Sequence, residues 1–142
     1  MATILKTLTD TTFDSVEGYK RAAEKAESPQ LKQVLNEQAT KRQALVAKMN
    51  AELERRGEEL VTKGTTAGKL HQLWVEASNL FENGDEAATE RAEEGEDYLA
   101  KKFEEALKKD DLDPQERMLI EAGYAEVKEG ERLTDMLEKQ YD

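Results

Sequence analysis

The stretch Leu31 to Leu53, LKQVLNEQATKRQALVAKMNAEL, constrains the fold more than any other part of the chain. At about 100° per residue, Leu31, Leu35, Leu45, Met49 and Leu53 fall on one seam, the mark of a long amphipathic helix. Gln38 and Arg42 interrupt that seam at its midpoint. A helix of this length buries its seam only against other long helices, so the interruption predicts a polar layer halfway along a helical bundle. Bundles of this kind hold metal sites at such a layer, or salt bridges that resemble them.

The rest of the chain supplies matching helices. Leu5, Leu8, Thr12, Val16, Tyr19, Ala23 and Ala26 form a stripe over about 4–26, with Phe13 on its flank and Glu17 in water. Ser28-Pro29 then reads as an N-cap followed by a first-turn proline, so the second helix, about 29–56, turns back antiparallel and ends near Gly57. Leu70, Leu73, Trp74, Ala77, Leu80 and Phe81 share the face of a shorter helix at about 67–82. Asn83-Gly84 stops it and Asp85 caps the next. That helix, about 85–109, has a stripe of Ala88, Ala92, Gly95, Leu99, Phe103 and Ala106 with Glu96 on its flank. Its acids lie early and Lys101, Lys102, Lys108 and Lys109 late, which suits the helix dipole. Asp113-Pro114-Gln115-Glu116 opens the last helix, about 114–140, with an N-cap, a first-turn proline and a capping-box acid. Its expected seam is Leu119, Ala122, Glu126, Gly130, Leu133 and Leu137, flanked by Ile120 and Val127.

These elements fit one domain over 1–142, long enough for a single core. The first and second helical hairpins echo one another weakly: Glu17-Gly18-Tyr19 answers Glu96-Asp97-Tyr98, and Ser28-Pro29-Gln30 answers Asp113-Pro114-Gln115. An up-down bundle would join its hairpins with a few residues. Here Gly57 to Gly84 intervene, so the expected fold is all-α, two antiparallel hairpins joined by a long, partly helical crossover, the ferritin-like four-helix arrangement.

Composition excludes several functions. A net charge of −11, from 32 acidic and 21 basic residues, argues against nucleic acid and against an anionic membrane surface. There is no cysteine, hence no disulfide and no thiolate metal site. No stretch reads as a signal peptide or a transmembrane span, and the expected location is cytoplasmic. GTTAGKL has one residue too few between its glycines for a phosphate loop and carries Leu70 where a magnesium-binding hydroxyl belongs. One histidine, His71, placed off its apolar stripe, leaves no Ser–His–Asp or Cys–His arrangement.

Counting ~1.5 Å per residue from the helix starts brings Gln38, Arg42, Glu96 and Glu126 to one level. A di-metal carboxylate centre would need glutamates from two helices and Glu-x-x-His from two more. The second helix offers Gln38-x-x-Lys41 instead, and Glu37 points outward. Glu126-x-x-Glu129 is the one fragment of the right kind, so a weak metal set would be Glu96, Glu126 and Glu129. Arg42 cannot be a ligand and is always protonated. It supplies the cation itself, so a buried Arg–Glu–Gln network is the preferred reading. No catalytic residues, resident metal or cofactor are expected.

Val16-Glu17-Gly18-Tyr19 with Arg21-Ala22-Ala23, Ser28-Pro29-Gln30-Leu31, Gly68-x-x-His71-x-x-Trp74 and Gly95-Glu96-Asp97 together resemble a bacterial family of ferritin-like four-helix bundles described only as a domain of unknown function. The resemblance spans nearly the whole chain. It implies a bundle fold and a bacterial source, and it carries over no catalytic residues. A histidine expected late in the last helix is Gly130 or Glu131 here. The leading expectation is a non-enzymatic bundle, stress-associated or working through a protein partner or a homodimer. The alternatives are an iron- or manganese-binding protein and a carrier of a small apolar ligand under Trp74.

Overall fold

The computed structural model describes residues 3–62 and 84–141. Among these are four helices: α1 (Ile4–Lys25), α2 (Pro29–Arg55), α3 (Gly84–Leu107) and α4 (Pro114–Gln140). The expected helix at 67–82, with His71, Trp74 and its apolar stripe, lies outside the described residues.

Local chemistry sets the helix ends. The Thr3 hydroxyl accepts from the Lys6 amide and the Ser28 hydroxyl from the Leu31 amide, with Pro29 following at the first turn. Asp113 and Glu116 form a complete capping box at the start of α4. α2 ends in a Schellman motif: the Glu58 amide donates to Leu53 and the Gly57 amide to Glu54, both at 2.9 Å. Gly57 sits there at φ 73°, a conformation other residues adopt at a cost.

Two ends were expected differently. α3 stops at Leu107, leaving Lys108 and Lys109 in the turn beyond it. The carbonyls freed there accept from Arg117 on α4 instead: the guanidinium donates to Leu107 and Lys109. Asp85 lies within the first turn of α3, and its carboxylate accepts from the Glu27 and Ser28 amides at 2.6 and 3.1 Å. It therefore ties α3 to the α1–α2 turn rather than acting as a conventional N-cap. Gly84 makes that approach fit, since a Cβ there would stand 2.4 Å from the Lys25 carbonyl oxygen.

These contacts fix directions. At one pole the start of α3 meets the α1–α2 turn, and Tyr141 after α4 reaches Ser28 at 3.3 Å between hydroxyls. At the other, Arg56 after α2 pairs with Asp113 at 2.6 Å and Arg55 bonds Gln115. α1 thus runs antiparallel to α2 and α3, and α4 antiparallel to α3. The chain leaves α2 at one pole and starts α3 at the other. α1 packs along α2 and α3, and α3 along α4.

The core has two parts. One, toward the Arg56 pole, is built on Leu5, Leu8, Leu45, Met49, Leu53, Leu99, Phe103, Ile120 and Val127. The other, toward the Ser28 pole, is built on Tyr19, Leu31, Leu35 and Leu137 among many alanines. Between them lies a polar layer. The inner face of α4 is Ile120, Gly123, Val127, Gly130, Thr134 and Leu137, about one residue around from the expected seam. Ala122 is exposed, and Leu119, Glu126 and Leu133 lie on the flank. The shift has a packing cause: Gly123 and Gly130 face inward because large groups occupy the space, Phe103 against the first and Glu96 against the second.

Candidate functional site

Each helix contributes to the polar layer near its midpoint. Arg42 is wholly buried, its side chain extending from α2 to the carboxylate of Glu96 on α3. The pair is bidentate, with Nη1–Oε1 at 2.5 Å and Nη2–Oε2 at 2.7 Å. This fork geometry is the strongest form of the interaction. Nη1 also donates to the Ser15 hydroxyl on α1 at 2.9 Å. The Tyr19 ring lies 5.6 Å from the guanidinium carbon, within cation–π range.

α4 brings no comparable partner. Glu126 Oε2 stands 3.5 Å from Arg42 Nε, outside good hydrogen-bond geometry, and its side chain is 36% exposed. The expected central position of Glu126 therefore gives way to a rim position, while Glu96, on the flank of its own stripe, lies in the buried layer where it was expected beside Arg42. The larger contribution of α4 is Gly130. A Cβ there would lie 1.8 Å from Glu96 Oε2 and 3.1 Å from Arg42 Nη2. The carboxylate occupies the space a side chain would have filled.

Gln38 is buried one turn before Arg42, but no hydrogen bond joins it to Arg42, Glu96 or Glu126. Glu129 is exposed and pairs with Arg132. The structure thus brings Arg42 and Glu96 into direct contact, holds Glu126 at the edge, and leaves Glu129 outside. Ser15, Tyr19 and Gly130 were not singled out as members of the layer.

Electrostatics favour a permanently charged pair. Burial alone would lower the proton affinity of Arg42, but the Glu96 carboxylate outweighs it and holds the guanidinium protonated. Burial, reinforced by the Glu96 charge, raises the Tyr19 hydroxyl well above the usual phenol range. Neither group can exchange a proton near neutral pH. Buried Thr9 and Thr12 satisfy their hydroxyls on the Leu5 and Leu8 carbonyls, each at 2.7 Å. None of these groups is arranged as a nucleophile with a base.

A second polar group lies on the α3–α4 seam. Glu93, Asp135 and Glu138 place carboxylate oxygens within 4.8 Å of one another, the one such trio of acids among the described residues. Glu93 is raised to about 7 by its hydrogen bond to Glu138, by burial and by neighbouring acids. Asp97 is raised to about 7 by burial and by Glu131. Burial would raise Glu131 too, but hydrogen bonds from Asp97 and Lys128 lower it. These pairings depend on the register between two helices, which charge counting along one helix does not reveal.

No curated protein and no solved structure matches the chain. The model of one protein family, Domain of unknown function (DUF2383), matches residues 1–109, which hold three of the four described helices and the Arg42–Glu96 pair. By that match the chain belongs to the DUF2383 family.

Proposed function

We propose that this chain is a non-enzymatic, ferritin-like four-helix bundle that acts by binding a protein partner or a second copy, its mid-bundle layer closed by an internal ion pair. The observation that carries the proposal is the bidentate Arg42–Glu96 contact, buried at 1% side-chain exposure on both sides. The fork of a guanidinium occupies the place from which carboxylates and histidines would reach a pair of metal ions. The residues present do not fit such a centre. Glu96 is committed to Arg42, Glu126 stands at the rim, Glu129 faces Arg132, and the described residues include no histidine. The ferritin-like reading is supported by helix direction, because the chain leaves α2 at one pole and starts α3 at the other.

Metal analysis of protein purified without chelator, followed by anaerobic titration with iron(II) and manganese(II), tests the proposal. The expected result is no stoichiometric ion and no saturable binding at the layer. One or two equivalents of iron or manganese, lost in Glu96→Ala or Glu126→Ala, would overturn it in favour of a metal-binding bundle. Loss only in Glu138→Ala would place the ion at the surface acids and leave the layer as described.

A further inference from the structure

At the Arg56 pole, a cleft of about 510 Å3 opens between the first turns of α1 and the end of α3. Ile4 with the largely buried Leu8 and Ala106 gives it an apolar floor, and threonines, lysines and Glu105 line the rest. Two of its threonines turn their oxygens to α1 itself: Thr3 accepts from the Lys6 amide, and Thr11 donates to the Thr7 carbonyl. Among the described residues, charge at the rim runs against that of the chain, with Lys102, Lys108 and Lys109 facing one acid, Glu105, in a protein of net charge −11.

The lysines are not equivalent. Lys102 is engaged, 3.6 Å from Glu105 and 5.3 Å from the Tyr98 ring centroid. Lys108 and Lys109 are exposed just past α3, and among the described residues neither forms an ion pair. Because α1 and α3 run antiparallel, these two stand at the Ile4 end of the cleft and Lys102 at the Thr11 end. From Ile4 to Thr11 the cleft follows α1 for ~10 Å, the reach of a medium acyl chain.

We infer that this cleft binds a medium-chain fatty carboxylate, its headgroup at Lys108 and Lys109 and its chain along Ile4, Leu8 and Ala106. An inorganic anion would make no use of the apolar floor, and an extended polypeptide laid there would bury amides against it without backbone partners. An amphiphile with one negative end satisfies both features. This binding does not depend on the Arg42–Glu96 layer.

The test is calorimetric titration of the full chain with sodium decanoate below its micelle concentration, with decanol and sodium phosphate as controls. Two variants are compared, Lys108→Ala/Lys109→Ala and Thr7→Trp, the second filling the cleft from an exposed position. The expected result is one saturable decanoate site, weakened about tenfold in the double lysine variant and by added salt, and lost in Thr7→Trp. Decanol should be insensitive to the lysine change. Absence of saturable binding, equal binding in both variants, or displacement by phosphate at concentrations similar to decanoate would overturn the inference. So would stoichiometric displacement by an acidic peptide, which would make the cleft a protein-docking surface.

Discussion

Arg42 and Glu96 meet through two parallel hydrogen bonds in the centre of the bundle, and both side chains are buried on every side. The contact divides the apolar core into its two parts. A pair so deeply buried forfeits the hydration of both charges, so its gain over an apolar layer is small. Breaking it from one side is another matter. Arg42→Leu leaves the Glu96 carboxylate buried without its counter-ion and should destabilise the fold by about 3–5 kcal/mol. Urea denaturation should show the loss. Arg42→Leu combined with Glu96→Leu should cost markedly less than the sum of the single changes. Additive losses would mean that the two charges are not energetically coupled.

Gly130 reverses the usual helix rule. In an exposed helix, alanine is more stable than glycine by roughly 0.5–1 kcal/mol. At position 130 the added methyl would meet Glu96 Oε2 at 1.8 Å, so either the fork opens or α4 moves outward. Gly130→Ala should therefore destabilise by about 1–3 kcal/mol, the range for overpacking a filled interior. Thermal or urea unfolding would decide the sign, and a stabilised variant would show that α4 yields freely.

Much of this architecture is legible in the sequence because its causes are local. Ser28-Pro29 and Asp113 to Glu116 cap their own helices, and Arg42 announces itself as a charge in an otherwise apolar seam. What stays hidden depends on other elements. Gly130 and Ser15 carry no hydropathy signal, since one contributes only empty volume and the other a single hydroxyl. Glu96 looks like a flank residue until α2 supplies a guanidinium for it. Glu126 moves to the rim because the inward glycines rotate α4, and nothing in α4 alone requires that rotation. The Asp85 contact joins residues 58 positions apart in the chain, so no capping pattern within α3 could have shown it.

Asp85 supports a prediction of its own. Its carboxylate accepts two backbone amides from the α1–α2 turn, at 2.6 and 3.1 Å. Asp85→Ala should cost about 1–2 kcal/mol, comparable to losing a helix cap. Hydrogen exchange should show that the Glu27 and Ser28 amides lose protection selectively. Unchanged exchange at those two positions would remove the contact from the account of how α3 docks.

The acids between α3 and α4 give stability a pH dependence whose sign follows from their shifts. Glu93 and Asp97 titrate near 7 in the folded chain, above their ordinary values of 4.5 and 3.8. The folded state therefore binds more protons than the unfolded state between about pH 4 and 7, and the stability these groups contribute falls as pH rises through that window. Glu131, lowered by Asp97 and Lys128, opposes part of this, because Asp97 and Glu131 hold one proton between them. The net expectation is a higher melting temperature at pH 5.5 than at pH 7.5. Relief of overall negative charge acts in the same direction, so the specific claim rests on variants. Glu93→Gln combined with Asp97→Asn should raise the melting temperature at pH 7.5 and flatten its dependence between pH 5.5 and 7.5. Glu37→Gln, which removes an exposed charge on α2, should shift the curve without flattening it. Equal slopes in the two variants would assign the pH dependence to net charge rather than to the α3–α4 seam.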